Sequence, residues 1–450
     1  MAVQNPVVVL PGITASVLRD EYPVNPEVVW TVLSKSYDRV ALHPDDVRWE
    51  RDEPARVVAD QAFTLPYGEL VKEVAHDLSA RADEPTPVFP FAYDWRQPLG
   101  VVERQLDAFV DEVIERTCLL KHYYRAGYHE DPKVDLVGHS MGGLVLSGWL
   151  KGKGADARVG KVATLATPFR GSFEAVMKVT TGLAELGGSS SSSREREVAR
   201  LTPALYYLLP SFPGALQVDE GLPDTFYDVD LWQASILETL SEYIRLYGRE
   251  SRTSKAERLD KAHTLLTTIL SEAREHRDRV ESLEPEAVGM DPDDWLCVVG
   301  LGETTRVQLR VEERDAGPVF DLTSADRRNG YPAGRVDDRG RNVPPTETGD
   351  GTVPYEGARP AFLGPEKLVC VTDDDFGYWE LRDRALEGAG VGLHGMLPSM
   401  NLAHRLVAAH FKAGPGHRAR GDRSLWGRSA PGIDPENWDP PIRDLRRKGA

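Results

Sequence analysis

A serine between two glycines is the strongest chemical signal in this sequence. Gly138-His139-Ser140-Met141-Gly142 has the form G-x-S-x-G and follows the short predicted strand Val134–Val137. The stretch Met141–Leu150 comes directly after it and has the character of a helix. A sharp turn from a strand into a helix exposes a serine hydroxyl where a base can activate it. The motif therefore predicts a nucleophile at Ser140, in preference to a chance Gly-Ser turn.

The same turn indicates how a developing negative charge would be stabilised. Gly138 and Gly142 remove side chains that would clash in so sharp a turn. The helix that follows directs its first N–H groups towards an oxyanion, and the Met141 N–H is one expected donor. Pro11-Gly12-Ile13 ends the predicted buried strand Pro6–Leu10, and the Ile13 N–H is the expected second donor.

A serine nucleophile also needs a histidine base, and folds that carry the serine on such a strand-to-helix turn place the three residues in the chain order Ser, Asp or Glu, His. His394 lies in the glycine-flanked segment Gly390–Gly395, just before a predicted closing helix at residues 400–411. We therefore favour His394 over His404, which falls on that helix, while adjacency to Ser140 makes His139 a packing residue. The other downstream histidines are expected on solvated helix faces, in ordinary structural positions or in the tail: His263, His276, His410 and His417.

The best candidate for the acid is Asp350, which lies between two glycines in Gly349-Asp350-Gly351-Thr352-Val353. A carboxylate on such a tight loop can orient a histidine ring without steric conflict. A plain Asp-Gly turn is the alternative interpretation of this segment. The competing acidic cluster Asp373–Asp375 is expected to form a solvated turn, because mutual repulsion costs least in water.

Alternating patterns around Ser140 predict the sheet that must position it. Residues 88–166 alternate between strand-like and helix-like patterns, which implies a parallel sheet with right-handed crossovers. Residues 20–85 are expected to hold short helices and loops. Strand candidates resume after residue 290: Trp295–Val299, a hairpin of Val307–Glu312 with Val319–Leu322, and Lys367–Val371.

Six ordered segments, taken together, resemble the lecithin:cholesterol acyltransferase family, which includes phospholipases and acyltransferases. They are Leu10–Leu18 (P-G-x-x-x-x-x-L), Ala92–Arg96 (Y-D-W-R), Gly138–Gly142, Leu165–Ser172 (resembling L-x-x-P-W-x-G), Gly349–Val353, and His394. The resemblance implies an α/β-hydrolase fold, with a mostly parallel sheet flanked by helices and an inserted helical cap or lid. It also implies that Ser140 is the nucleophile, Asp350 the acid and His394 the base, with Ile13 and Met141 forming the oxyanion hole. Tyr93–Arg96 is expected to support the fold.

The sequence also departs from that family. Residue 15 is alanine where the family usually has glycine, and the segment after residue 172 differs in composition from the family's lid. We expect four parts: a first core part at 1–171, a helical cap at 172–290, a second core part at 291–413, and an irregular tail at 414–450. The cap holds two amphipathic helices, at 229–247 and 255–283. Residues 172–215, with the serine run Ser189–Ser193, are either a mobile lid or a variable surface loop.

The amino-acid composition of the chain limits the classes of partner that it can bind. The 450 residues are 41% hydrophobic and carry a net charge of −17, which argues against general nucleic-acid binding. Three cysteines are expected to be reduced thiols. We see no signal peptide or transmembrane segment, so we expect a cytoplasmic protein. The predicted serine chemistry requires no metal or organic cofactor. A local apolar patch would still permit peripheral membrane contact.

The leading functional hypothesis is a serine hydrolase or acyltransferase that cleaves acyl esters, those of lipids above all, through an acyl-enzyme on Ser140. Two alternatives stay open at this point. One is a soluble hydrolase of small esters or thioesters. The other is an interaction protein that uses the same fold without catalysis. The lipid class, the acyl acceptor and the oligomeric state are left open by the sequence.

Overall fold

The fold is described from a computed structural model of the chain. It describes residues 3–31, 36–52, 54–182, 193–250, 253–322, 348–377, 380, 392–421 and 425–448. Residues 189–192 of the serine run and residues 390–391 of the segment before His394 lie outside these ranges.

The described residues form short strands and longer helices in alternation. The strands are β1 (Val7–Leu10), β2 (Ser16–Asp20), β3 (Glu27–Trp30), β4 (Leu42–His43), β5 (Asp46–Glu50), β6 (Val57–Ala62), β7 (Val88–Pro90), β8 (Val134–His139), β9 (Val159–Leu165), β10 (Leu216–Val218), β11 (Trp295–Gly300), β12 (Leu309–Arg314), β13 (Gly317–Asp321), β14 (Val369–Val371), β15 (Ala419–Arg420), β16 (Trp426–Gly427), β17 (Ile442–Arg443) and β18 (Arg446–Arg447). The helices are α1 (Thr64–Leu78), α2 (Leu99–Cys118), α3 (Lys121–Arg125), α4 (Met141–Lys153), α5 (Phe173–Thr181), α6 (Ser193–Leu201), α7 (Pro203–Tyr206), α8 (Ala234–Tyr247), α9 (Lys255–Glu281), α10 (Tyr355–Ala358), α11 (Gly392–Met396) and α12 (Asn401–Lys412).

The central sheet has the strand order β14-β11-β9-β8-β1-β7 in the described part of the chain, and its neighbouring strands are parallel. Its inner strands are continuous apolar runs because helices cover both faces. In β1, Val8 and Leu10 pack into the core beneath α2 and α4, while Val7 and Val9 pack into the core beneath α1 and α12. The predicted parallel sheet flanked by helices is confirmed.

Two expectations for the flanking regions need correction. Residues 20–85 contain the strands β2, β3 and β6, which form a separate antiparallel sheet, and the hairpin β4–β5. The predicted hairpin after residue 290 exists as β12–β13, but β10 from the expected cap segment joins it as a third strand. Backbone pairing thus crosses the boundary that we expected at residue 290.

The cap helices dock on the core through a buried polar contact. His276 of α9 was expected to be solvated, but this prediction is wrong. Its Nε2 lies 2.9 Å from Glu103 Oε1 of α2, and both side chains are buried. Arg279 donates to the same carboxylate, with 2.7 Å to each oxygen. Burial lowers the pKa of His276 from its ordinary value.

The C-terminal segment packs on the core although its strands are only two residues long. The backbones of Arg428 and Cys370 pair, and Trp438 Nε1 donates to Leu368 O at 2.8 Å. Asp375, expected in a solvated turn, is buried against this segment, where Trp426 Nε1 donates to its carboxylate at 2.8 Å. The segment therefore covers the β14 edge of the central sheet.

A buried ion cluster ties the loop after β7 to the β4–β5 hairpin. The Arg96 side chain is fully buried, and its guanidinium donates to Asp94 at 2.7 and 2.9 Å and to Glu50 at 2.8 Å. It also donates to Val40 O at 3.2 Å. The structure thus gives the Y-D-W-R segment the internal supporting position that we expected.

Among the described residues, no helix combines the length and hydropathy that a bilayer crossing requires.

We predict that Arg96→Met lowers the free energy of unfolding by about 3–5 kcal/mol, because it leaves two buried carboxylates without a cation. Urea unfolding followed by circular dichroism measures this loss. The matched control is Arg81→Met, since Arg81 pairs with Asp83 at the surface and such pairs contribute at most about 1 kcal/mol. Equal losses in the two variants would contradict this assignment.

Candidate active site

Ser140 occupies a strained turn between β8 and α4. Its backbone has φ 52° and ψ −127°, a conformation that costs a non-glycine residue about 1–3 kcal/mol. The Ser140 N–H donates to Leu165 O at the end of β9, at 2.9 Å. The turn therefore fixes the serine at the carboxyl edge of the sheet.

The glycines of the motif are required by close packing. A Cβ on Gly142 would lie 2.4 Å from Leu10 O, and one on Gly138 would lie 2.8 Å from the Gly143 backbone nitrogen. Both distances are far below van der Waals contact, so any other residue would push β1 or α4 away from the turn.

The three side chains predicted from the sequence motifs and their chain order, those of Ser140, Asp350 and His394, lie in hydrogen-bond contact. His394 Nε2 is 3.0 Å from Ser140 Oγ, and His394 Nδ1 is 2.8 Å from Asp350 Oδ2. All three residues are buried, at 5% exposure or less. The other oxygen, Asp350 Oδ1, accepts the N–H groups of Val353 at 2.7 Å and Thr352 at 3.1 Å, which fixes the carboxylate.

The rejected candidates are engaged elsewhere. His404 Nε2 bonds to Pro398 O at 2.7 Å, and His410 Nε2 lies 3.1 Å from both Val162 O and Asp294 O. His263 is half exposed on α9, as expected for a solvated face. None of these rings contacts Ser140.

Glu303 links the loops that carry Asp350 and His394, and no motif in the sequence points to this residue. Its carboxylate accepts the Leu393 N–H at 3.0 Å. Its backbone exchanges two hydrogen bonds with Gly349, at 3.0 and 3.2 Å. The His394 N–H in turn donates to Asp350 O at 3.3 Å. These contacts set the distance between the carboxylate and the imidazole.

Tyr67 forms a second link, between the Gly12 loop and His139, and no motif in the sequence points to this residue. Tyr67 Oη accepts the Gly12 N–H at 2.8 Å and lies 2.6 Å from His139 Nδ1. His139 Nε2 lies 3.0 Å from His394 O, so it donates to that carbonyl and leaves Nδ1 to accept from Tyr67. Burial and the neighbouring His394 ring lower the pKa of His139 well below its ordinary value, which keeps the ring neutral.

The two predicted oxyanion donors flank Ser140. Met141 is the first residue of α4, and Ile13 borders the same pocket as Ser140. A Cβ on Gly12 would lie 3.0 Å from Ser140 Cβ, so the Pro11–Ile13 loop lies against Ser140. Within the described ranges, the Ile13 N–H donates no hydrogen bond. The role of the Ile13 and Met141 N–H groups in binding an oxyanion stays a prediction.

A largely apolar pocket opens beside Ser140. Its wall includes Ile13, Trp95 and Val353, together with residues from the facing sides of α5 and α6. Such a pocket suits a hydrocarbon chain better than a polar substrate. No group of three metal-ligating side chains occurs in the part of the chain that the structure describes.

Fold and site together define the class of protein, an α/β-hydrolase with a serine at the strand-to-helix turn. The model of the family described as lecithin:cholesterol acyltransferase matches residues 66–359, more than half of the chain. The chain belongs to this family. No curated protein sequence matches it.

One solved structure of low identity shares the fold, and two others resemble the chain more weakly. The Tle4-Tli4 complex contains a chain with a TM-score of 0.52 and 13% identity, over 80% of this chain and 89% of that one. Phospholipase PlaB from Legionella pneumophila gives a TM-score of 0.24 and 12% identity, over 45% and 32%. The lipase BlEst2 from Bacillus licheniformis gives 0.21 and 14%, over 54% and 74%.

We predict that Tyr67→Phe slows phosphonylation of Ser140 by a fluorophosphonate about 10- to 100-fold, because the Gly12 N–H and His139 Nδ1 both lose their partner. The second-order labelling rate measures the effect. Tyr128→Phe is the matched control. It removes the same hydroxyl group on a remote loop, where Tyr128 Oη donates to Lys133 O at 2.7 Å. Equal labelling by Tyr67→Phe and the wild type would refute a positioning role for Tyr67.

Proposed function

We propose that this protein is a serine-dependent enzyme that cleaves lipid acyl esters and passes the acyl group to water or to an alcohol. The observation that carries the proposal is the buried Ser140–His394–Asp350 arrangement at the mouth of an apolar pocket. Its family membership supports the lipid substrate, because the family is named for lecithin:cholesterol acyltransferase.

The first half-reaction forms an acyl-enzyme. His394 Nε2 takes the proton of Ser140 Oγ as that oxygen attacks the ester carbonyl carbon. The negative charge that develops on the carbonyl oxygen is stabilised by the N–H groups of Ile13 and Met141. The ester C–O bond then breaks, and His394 returns the proton to the leaving alcohol.

The second half-reaction repeats these steps with a different nucleophile. His394 removes a proton from water or an acceptor alcohol, whose oxygen attacks the acyl carbonyl. The bond to Ser140 Oγ breaks, and the serine regains its proton from His394. Asp350 holds the ring through Nδ1 and stabilises the imidazolium in both halves. A wet pocket gives hydrolysis and a dry one with an alcohol site gives transfer.

Product analysis by mass spectrometry tests the proposal. Wild type and Ser140→Ala are incubated with vesicles of mixed phospholipid and neutral lipid, with and without a long-chain alcohol. We expect free fatty acid or a new ester with the wild type only. Ser147→Ala is the control, because Ser147 Oγ donates within α4 to Gly143 O at 2.7 Å.

The pattern of products decides between the functional candidates. The ratio of fatty acid to new ester separates hydrolysis from transfer. Equal products from wild type and Ser140→Ala would refute the lipid assignment. Activity on short esters alone, unchanged by vesicles, would identify a small-ester hydrolase instead, and inactivity on every ester would indicate a non-catalytic protein.

We further predict that Asp350→Asn lowers kcat about 10³- to 10⁴-fold while KM changes little, because the amide no longer fixes or stabilises the His394 imidazolium. Steady-state hydrolysis of a p-nitrophenyl ester measures both constants. Asp374→Asn removes an exposed carboxylate from the competing acidic cluster and is expected to behave as wild type. A small loss in Asp350→Asn would remove Asp350 from the mechanism.

A further inference from the structure

The pocket beside Ser140 changes in chemical character along its length. Helices α5 and α6 turn residues three and four apart towards it, as expected for helix faces. Glu174 lines the pocket in the first turn of α5, and next to it come small apolar side chains, Ala175 on α5 and Val198 and Ala199 on α6. Beyond them, Lys178 and Glu195 line the same pocket.

The position of α5 indicates how far the two ends of the pocket lie from each other. Ser172, the N-cap of α5, donates through Oγ to Thr352 O at 2.5 Å and so lies beside the loop of Asp350. Lys178 is six residues further along, so a rise of about 1.5 Å per residue places its backbone roughly 9 Å along the helix from Ser172, and its Nζ lies further on, beside Gly182 O. An extended hydrocarbon chain therefore needs at least roughly seven carbons to reach the level of Lys178.

The far end carries a compact polar cluster, which we define as Tyr37, Lys178 and Glu195. Tyr37 Oη donates to Glu195 Oε1 at 2.5 Å, and Lys178 Nζ contacts the same oxygen. Lys178 Nζ also donates to Gly182 O at 3.1 Å and lies 5.6 Å from the centre of the Tyr37 ring. The Lys178 and Glu195 side chains are 16% and 8% exposed, so the pair is largely removed from water.

An acyl chain gains affinity where it replaces water against Ala175, Val198 and Ala199, by about fourfold for each buried methylene. It gains nothing where it meets a buried ion pair, because it strips the remaining water from the charges without replacing their hydrogen bonds. The polar cluster thus opposes further insertion of hydrocarbon.

We propose that the cluster of Tyr37, Lys178 and Glu195 ends the acyl-binding part of the pocket and makes the enzyme selective for acyl groups of medium length over longer ones. The inference rests on the proposed function, since it needs an acyl ester at Ser140. It adds the substrate class, which the family match does not specify.

Chain-length profiles test this proposal. kcat/KM is measured for p-nitrophenyl esters from C2 to C16 in mixed micelles. For the wild type we expect a rise up to the medium-length esters, followed by a plateau or a fall. The double variant Lys178→Met/Glu195→Leu removes both charges of the ion pair together. We expect its ratio of C14 to C4 activity to exceed the wild-type ratio at least tenfold.

The matched control is Lys261→Met/Glu250→Leu, which removes an ion pair at the surface between α8 and α9. Its profile is expected to coincide with that of the wild type. A wild-type optimum at C14 or C16, or a double variant with an unchanged profile, would overturn the proposal. Inactivity on all esters, with Ser140→Ala equal to the wild type, would instead refute the proposed function on which it rests.

A second variant covers the case in which the double variant does not fold, as judged by circular dichroism. Ala175→Leu narrows the pocket between Ser140 and the polar cluster. It is expected to lower kcat/KM for C8 at least tenfold relative to C2. An unchanged C8 to C2 ratio would show that the acyl chain does not run along α5, and this result would also overturn the proposal.

Discussion

The turn at Ser140 is the constraint on which the rest of the structure depends. A positive φ at a serine persists only where its surroundings hold it, and here the Leu165 carbonyl and the close contact of Gly142 with β1 do so. The contact needs β1 beside β8, and the hydrogen bond needs β9 on the other side. The parallel order of the central sheet is therefore a requirement of the Ser140 turn as well as of the core.

Residues far apart in the chain meet at this edge of the sheet because parallel strands end there together. The Pro11–Ile13 loop follows β1, Ser140 follows β8, and Glu303 lies just after β11. Glu303 connects the Asp350 loop to the start of α11, and Tyr67 connects the Gly12 amide to His139. A change in one of these loops is thus transmitted to the imidazole through buried hydrogen bonds rather than through solvent.

The sequence predicted those parts of the site that depend on local chemistry. A glycine-flanked serine and a glycine-flanked aspartate are visible in a few residues, and chain order then selects His394. Tyr67 and Glu303 could not be found in this way, because their roles come only from contacts across the fold. The strands of residues 16–62 were missed because they are short and partly polar, and His276 because its partner Glu103 lies on another helix.

The acyl-enzyme is the central claim, and rapid quenching tests it directly. The protein is mixed with a medium-chain p-nitrophenyl ester, quenched in acid within milliseconds and analysed by intact mass and peptide mapping. We predict one acyl group per chain, located on the peptide that contains Ser140 and absent from Ser140→Ala. Ester turnover without an adduct, or an adduct on another residue, would contradict the account.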